Sequence, residues 1–315
     1  MPGVSAVAQS YAAALDDGSR RLASDTTDAL QRGNLVPQDR EACPTRPQAF
    51  LQWLYDQSRW RQLKAKLPQQ TVLLDAVRRP HAGALWACFP SQALHLKLSP
   101  QEFRIDAKMW LGIAVYSDGG DGTRALLESS AGRITRHDAI RDVVFETAKS
   151  AACRPWKERR VDSSSHRPAD CYLPNWSLGR PLCVDVTISH PSQANATTPA
   201  EGEETSASAR ASLQAAADKV RKHGTRCANA GVDFLPLVVC AYGGWLPEGE
   251  KFLTAIGRQL SDHSGLPIGV VMSQLWQRLS ITLWRTNARI ILHRAPKVDL
   301  ESWDLPAFAR PSSVS

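Results

Sequence analysis

The stretch from Arg167 to Pro191, RPADCYLPNWSLGRPLCVDVTISHP, most constrains what this chain can fold into. Leu182 to Ser189 alternates in character and is rich in β-branched residues, the signature of a strand with one face buried. Val184, Val186 and Ile188 point one way, into a core, while Cys183, Asp185, Thr187 and Ser189 point the other. A second strand-like run, Arg167 to Leu173, precedes it, and Pro174, Asn175, Ser177, Gly179 and Pro181 supply the break. If the turn is symmetric, its midpoint falls between Ser177 and Leu178, with Asp170 and Asp185 equally far from it. The two aspartates then face each other across an antiparallel pair, their Cβ atoms roughly 5 Å apart. Carboxylates that close repel unless a cation or a proton is shared. A surface hairpin with a polar face fits the same pattern, so the rest of the chain has to decide.

The decision turns first on charge. Net charge is +7 with a pI near 9.2 over 315 residues, which fits a polyanion partner without requiring one. The basic excess is local: from Arg133 to Arg180 there are ten Lys/Arg against six Asp/Glu, gathered around the two aspartates. Apolar content of 43% and charged content of 22% are those of a soluble globular protein. Seven cysteines occur without CxxC spacing, so free thiols in a reduced compartment are expected, with neither a disulfide framework nor a zinc knuckle. No apolar run reaches membrane-spanning length and no signal-peptide core opens the chain; a soluble, intracellular protein is expected, nuclear in a eukaryote.

Taken in order, residues 1–47 read as an appendage, helical or partly disordered, and 48–132 as a mainly helical region. Gln48 to Leu67 is a basic, tryptophan-bearing amphipathic helix, and Gln70 to Val77 another. Ser99, Pro100 and Glu102 mark a helix start, with Gly112 as its end. Tyr116 to Thr123 is a loop lacking the phosphate-cradle pattern. A long helix is expected over Ile134 to Ala152, capped by Thr135 with Arg136 and His137 in its first turn. Cys153 to Arg160 reads as a strand carrying Glu158. Beyond the hairpin come a flexible acidic insertion over 192–208, a helix from Ala209 to His223 stopped by Gly224, and an apolar strand from Val232 to Ala241. In that strand Pro236 argues that the regular part begins later. Helices over Lys251 to Ser264 and Val270 to His293 follow, then a tail over 296–315. The order from Ile134 is helix, three strands, helix, strand, helix: an α/β fold on one mixed central sheet flanked by helices, spanning 133–295, with an extra helical N-terminal region.

Hydrolysing a phosphodiester needs divalent metal held by carboxylates, and benefits from a lysine near the attacked phosphate. Asp170 and Asp185 on neighbouring strands, Glu158 on the strand before, and a following helix with Lys219 and Lys222 supply those groups in a basic setting. Arg159, Arg160 and Arg167 belong to that setting and are candidate DNA contacts. The order and residue types suit a metal-dependent nuclease, with no small-molecule cofactor evident.

At these residues the chain resembles the PD-(D/E)xK restriction-endonuclease-like superfamily. More narrowly it resembles the restriction-like endonuclease domain of site-specific non-LTR retrotransposon polyproteins. The matching motifs are RHD at Arg136 to Asp138, RPAD at Arg167 to Asp170, DVT at Asp185 to Thr187 and KVRKH at Lys219 to His223. GVDFLPLVVCAYGGW and NARIILHR further on are similar to the relatives' tail, and the resemblance covers roughly residues 70 to 295. It implies a restriction-endonuclease-like core in which Asp170 and Asp185 hold Mg2+ or Mn2+, with Glu158 as a third acidic ligand. It also implies that Lys219 or Lys222 supplies the catalytic lysine, because Thr187 stands two residues after the second acid, where that lysine usually sits. Arg136 and His137 would position DNA. The relatives' Cys/His knuckle is missing, since no Cys or His lies between Ile113 and Thr135, and no reverse transcriptase segment is present. A fragment, a domesticated remnant or a degraded copy is therefore expected. Three readings follow: a metal-dependent DNA endonuclease, a catalytically inactive DNA-binding remnant, or an α/β protein whose aspartates are merely polar hairpin groups.

Overall fold

The computed structural model describes residues 60, 62–67, 70–86, 91, 96–120, 122–161, 169–177, 179–193 and 206–294. The chain divides into two units, Met1–Thr71 and Val72–Ser315. Of the first, a helical segment at 62–66 is described, so most of the Gln48 to Leu67 helix lies outside the described residues, as do 194–205 of the acidic insertion and the tail.

In the second unit four strands form one sheet in the order β1-β2-β3-β4. These are β1 (Trp156–Lys157), β2 (Cys171–Ser177), β3 (Arg180–Ser189) and β4 (Asp233–Cys240). β2 pairs antiparallel with β1 on one side and β3 on the other, and β4 joins β3 in parallel. A parallel neighbour requires a crossover, which here contains α5 (Ala207–Lys219), a π-helical turn (Val220–Gly224) and α6 (Thr225–Asn229). The mixed sheet flanked by helices is the architecture the element order implies.

One face of the hairpin and the apolar half of β4 make the main core. Val184, Val186, Cys171 and Leu173 meet α4 (Ser130–Ser150) through Ile140, Val143 and Val144. α7 (Pro247–Ser264) and α8 (Ile268–Arg294) add Leu253, Ile256, Leu279 and Leu283, each 0–1% exposed. A fully buried aliphatic side chain of that kind stabilises by about 1.5–3 kcal/mol. A second core joins the N-terminal helices α1 (Thr71–Arg78), α2 (Pro100–Leu111) and α3 (Thr123–Glu128) to α8 around Trp284. Gly132 lets α4 approach α8 closely: an added Cβ would lie 2.7 Å from Ile290 Cγ1. α2 starts as its sequence requires, Ser99 and Glu102 forming a reciprocal capping box, and ends at Gly112 with φ of 66°. Among the described residues no helix is long and apolar enough to cross a membrane, and five cysteines are free thiols.

Several elements depart from the sequence reading. The hairpin closes beyond the Ser177–Arg180 pair, because β2 runs on through Pro174 and Asn175; the register shifts between Leu173 and Ser177, and the bulge accommodates a proline that donates no ladder bond. α4 begins at Ser130, where the Ser129 hydroxyl accepts from the Gly132 N–H at 3.1 Å. Thr135 instead donates to the Ala131 carbonyl one turn back, so Arg136 and His137 lie in the second turn. Gly224 keeps helical dihedrals and the crossover continues to Asn229. β4 is regular from Asp233, since it is an edge strand that tolerates Pro236.

Candidate metal centre

The hairpin register explains why Asp170 and Asp185 meet. Cys171 pairs with Val184 and Tyr172 with Cys183, so one step further back brings Asp170 opposite Asp185. The bulge lies on the far side of these pairs and leaves the register here intact. Asp170 sits just before β2, its Oδ2 accepting the Val186 N–H at 2.7 Å, with an oxygen of each carboxylate within 4.8 Å of the other. Burial pushes the Asp185 carboxyl up to about 6, Lys219 opposing and the nearby Asp170 charge adding to the rise. Burial would raise Asp170 too, but His137, the Asp185 carboxyl and the Val186 N–H together hold it below the usual carboxylate range.

α4 delivers the third group. His137 Nε2 lies 2.9 Å from Asp170 Oδ2, and its Nδ1 lies 3.1 Å from Asp138 Oδ1. The hydrogen bond to Asp170 raises the imidazole's affinity for a proton, against the effect of burial. Arg141 Nη1 donates to Asp138 at 2.9 Å, so the carboxylate behind the imidazole is itself held. One ligand atom from each of His137, Asp170 and Asp185 lies within 4.8 Å of the others, a group able to hold a metal ion. The donor set fits a divalent ion: two carboxylates and an imidazole whose other nitrogen faces a carboxylate, the usual arrangement behind a ligating histidine.

The lysine comes from the crossover helix. Lys219 Nζ is 2.9 Å from both Asp185 oxygens. Its reach follows from chain geometry. Ser212 of α5 bonds Ser189 at the end of β3 at 2.9 Å, and Arg79 Nη1 donates to the same Ser212 hydroxyl at 2.9 Å. From there the helix rises about 10 Å to Lys219 while the strand runs back about 13 Å to Asp185. The two groups are therefore brought level. Lys222 is exposed on the π-helical turn and is not brought to Asp185. His223, four residues after Lys219, is buried with its Nε2 3.8 Å from Asp185 Oδ2. Thr187 shares the face of Asp185, its hydroxyl buried and unbonded.

Compared with protein-family models, curated proteins and solved structures, the chain matches none of them. The site is therefore read from its own chemistry.

Glu158 lies just past β1 with φ of 49°, its carboxylate 3.4 Å from Arg141 Nη1 and outside the three-residue group. Arg136 is 4% exposed and donates to Asn287 Oδ1 at 2.7 Å. Burial pushes its pKa down to about 10, and it ties α4 to α8 rather than facing a ligand. Arg159 stacks on Trp156 and Tyr172, Arg160 is exposed, and Arg167 lies outside the described residues. The resemblance implies a DNA-positioning role for His137; its place beside Asp170 depends on how α4 packs under the hairpin, which no local pattern reports.

Proposed function

We propose that this chain is a metal-dependent DNA endonuclease with a restriction-endonuclease-like core, hydrolysing phosphodiester bonds at the Asp170–Asp185 site. The reading is carried by one observation: His137, Asp170 and Asp185 converge within 4.8 Å while Lys219 reaches the same carboxylate from another element. A surface hairpin has no need of an imidazole and an ammonium brought from two separate helices onto its aspartates. His137, Asp170 and Asp185 would hold Mg2+ or Mn2+. When bound, such an ion supplies Lewis acidity toward a phosphoryl oxygen and lowers the pKa of water.

The chain's own groups have distinct tasks. Asp138 fixes the imidazole so that Nε2 faces the carboxylates, and the Val186 N–H orients Asp170. Lys219 holds Asp185 and places a positive charge where a phosphate's developing charge is stabilised. It thus takes the task that Thr187 cannot perform. The sequence motifs resembling retrotransposon-encoded endonucleases support this reading, as does the basic excess around the hairpin. The test is nicking of supercoiled plasmid with Mn2+ or Mg2+. Wild-type protein is expected to nick, and Asp170→Ala and Asp185→Ala each to abolish nicking while salt-dependent DNA binding remains. Wild-type protein that binds DNA yet never nicks would replace this reading with a non-catalytic DNA-binding remnant.

A further inference from the structure

Beside the candidate metal centre lies a surface feature that the hydrolytic chemistry does not use. Trp156 of β1 is 53% exposed, with its ring against Tyr172 and Arg159. Its Cα partner across the ladder is Tyr172, and Tyr172 in turn pairs with Cys183. These three residues form one row on the sheet face that also carries Asp185, two residues along β3 from Cys183. Two residues of strand are roughly 7 Å, about two base steps at 3.4 Å each. The Glu158 N–H, two residues after Trp156, donates to the Asp170 carbonyl at 3.4 Å, which ties this corner directly to the site.

Arg159 completes the feature. Its guanidinium carbon lies 3.9 Å from the Trp156 ring centroid and 4.5 Å from that of Tyr172. No carboxylate among the described residues pairs with it, so two aromatic faces fix a planar cation whose donors stay available. Arg154 and Arg160 are exposed on either side. An exposed indole, a guanidinium already stacked on it and flanking positive charge are the components with which proteins hold unpaired bases.

We propose that Trp156 and Arg159 form a stacking platform for an unpaired nucleotide next to the scissile phosphate, so that the substrate is single-stranded DNA or DNA with unpaired bases at the cut. The substrate assignment rests on the nuclease reading, but binding to the platform is measurable without catalysis. The experiment is fluorescence anisotropy in EDTA with a labelled single-stranded 20-mer and its duplex, on wild type, Trp156→Ala and Trp156→Phe, each checked for folding by circular dichroism. Losing one stacked base weakens binding by roughly 5- to 150-fold. Trp156→Ala is expected to lose that much for the single strand and less than about twofold for the duplex, with Trp156→Phe close to wild type. Unchanged single-strand affinity in Trp156→Ala, equal losses for single strand and duplex, or no DNA binding by wild type would each overturn the platform. Plasmid nicking separates the two ideas. Wild type that nicks while Trp156→Ala binds normally removes the platform alone. Single-strand binding through Trp156 without nicking under any divalent ion removes the nuclease reading alone.

Discussion

Asp106 offers a test of the fold that is independent of the candidate metal site. Its side chain on α2 is fully buried, and neither carboxylate oxygen has a hydrogen-bond partner. Burial raises its pKa well above the usual value; the charge of Glu102 one turn earlier adds to the rise and Arg285 opposes it. The folded protein therefore keeps this proton at pH values where the unfolded chain, with an ordinary aspartate, has released it. More protons bound in the folded than the unfolded state means stability falls as pH rises, beginning near the ordinary value of about 4. The slope is about 1.4 kcal/mol per pH unit until the folded group ionises. Asp106→Asn removes the titration while keeping the shape. From about pH 5 upward, and until the folded group ionises, the wild type should thus lose stability relative to the variant as pH rises, at about 1.4 kcal/mol per pH unit. Urea denaturation of both proteins at half-unit pH steps reads this difference directly. A gap that stays constant over this range would refute the reasoning. So would a wild type that gains on the variant as pH rises, which would require a cation pairing with a buried carboxylate.

Two further predictions concern the site. Lys219→Met should lower the nicking rate by about a hundredfold or more, on the scale of losing one group that stabilises transition-state charge, whereas Lys222→Met should stay within a few-fold of wild type. Asp138→Ala should weaken Mn2+ binding by about 10- to 100-fold, the usual cost of removing the carboxylate behind a ligating histidine, with isothermal titration calorimetry as the readout; unchanged affinity would remove His137 from the ligand set.

Much of the architecture was legible because it follows from local chemistry. Strand alternation makes β3 legible, and Ser99–Pro100–Glu102 states a helix start outright. Mirroring about the turn opposes Asp170 and Asp185 only because the register shift between Leu173 and Ser177 offsets a turn that closes later than its assumed midpoint. What escaped was decided by packing. Pro174 and Asn175 carry turn chemistry, yet β2 absorbs them in a bulge because the strand continues to Ser177. Gly224 looks like a helix stop, but the π-helical turn keeps it in helical geometry within the crossover. The resemblance makes Arg136 a DNA-positioning residue, but Asn287, 151 residues later, supplies its buried acceptor. His137 needed the same kind of knowledge: only the placement of α4 against the start of β2 reveals that its imidazole meets Asp170.

The lysine's origin on α5 changes how the site can vary. In an arrangement where acid and lysine share one strand, their separation is locked by two residues of backbone. Here Ser212, Ser189 and Arg79 pin the helix against the sheet, and Lys219 follows from that docking alone. The number of residues joining Gln193 to Ser206 does not enter the geometry. Loop closure becomes only slowly more costly with length, so this connection is where the chain can lengthen, shorten or accept a foreign segment without detuning the site.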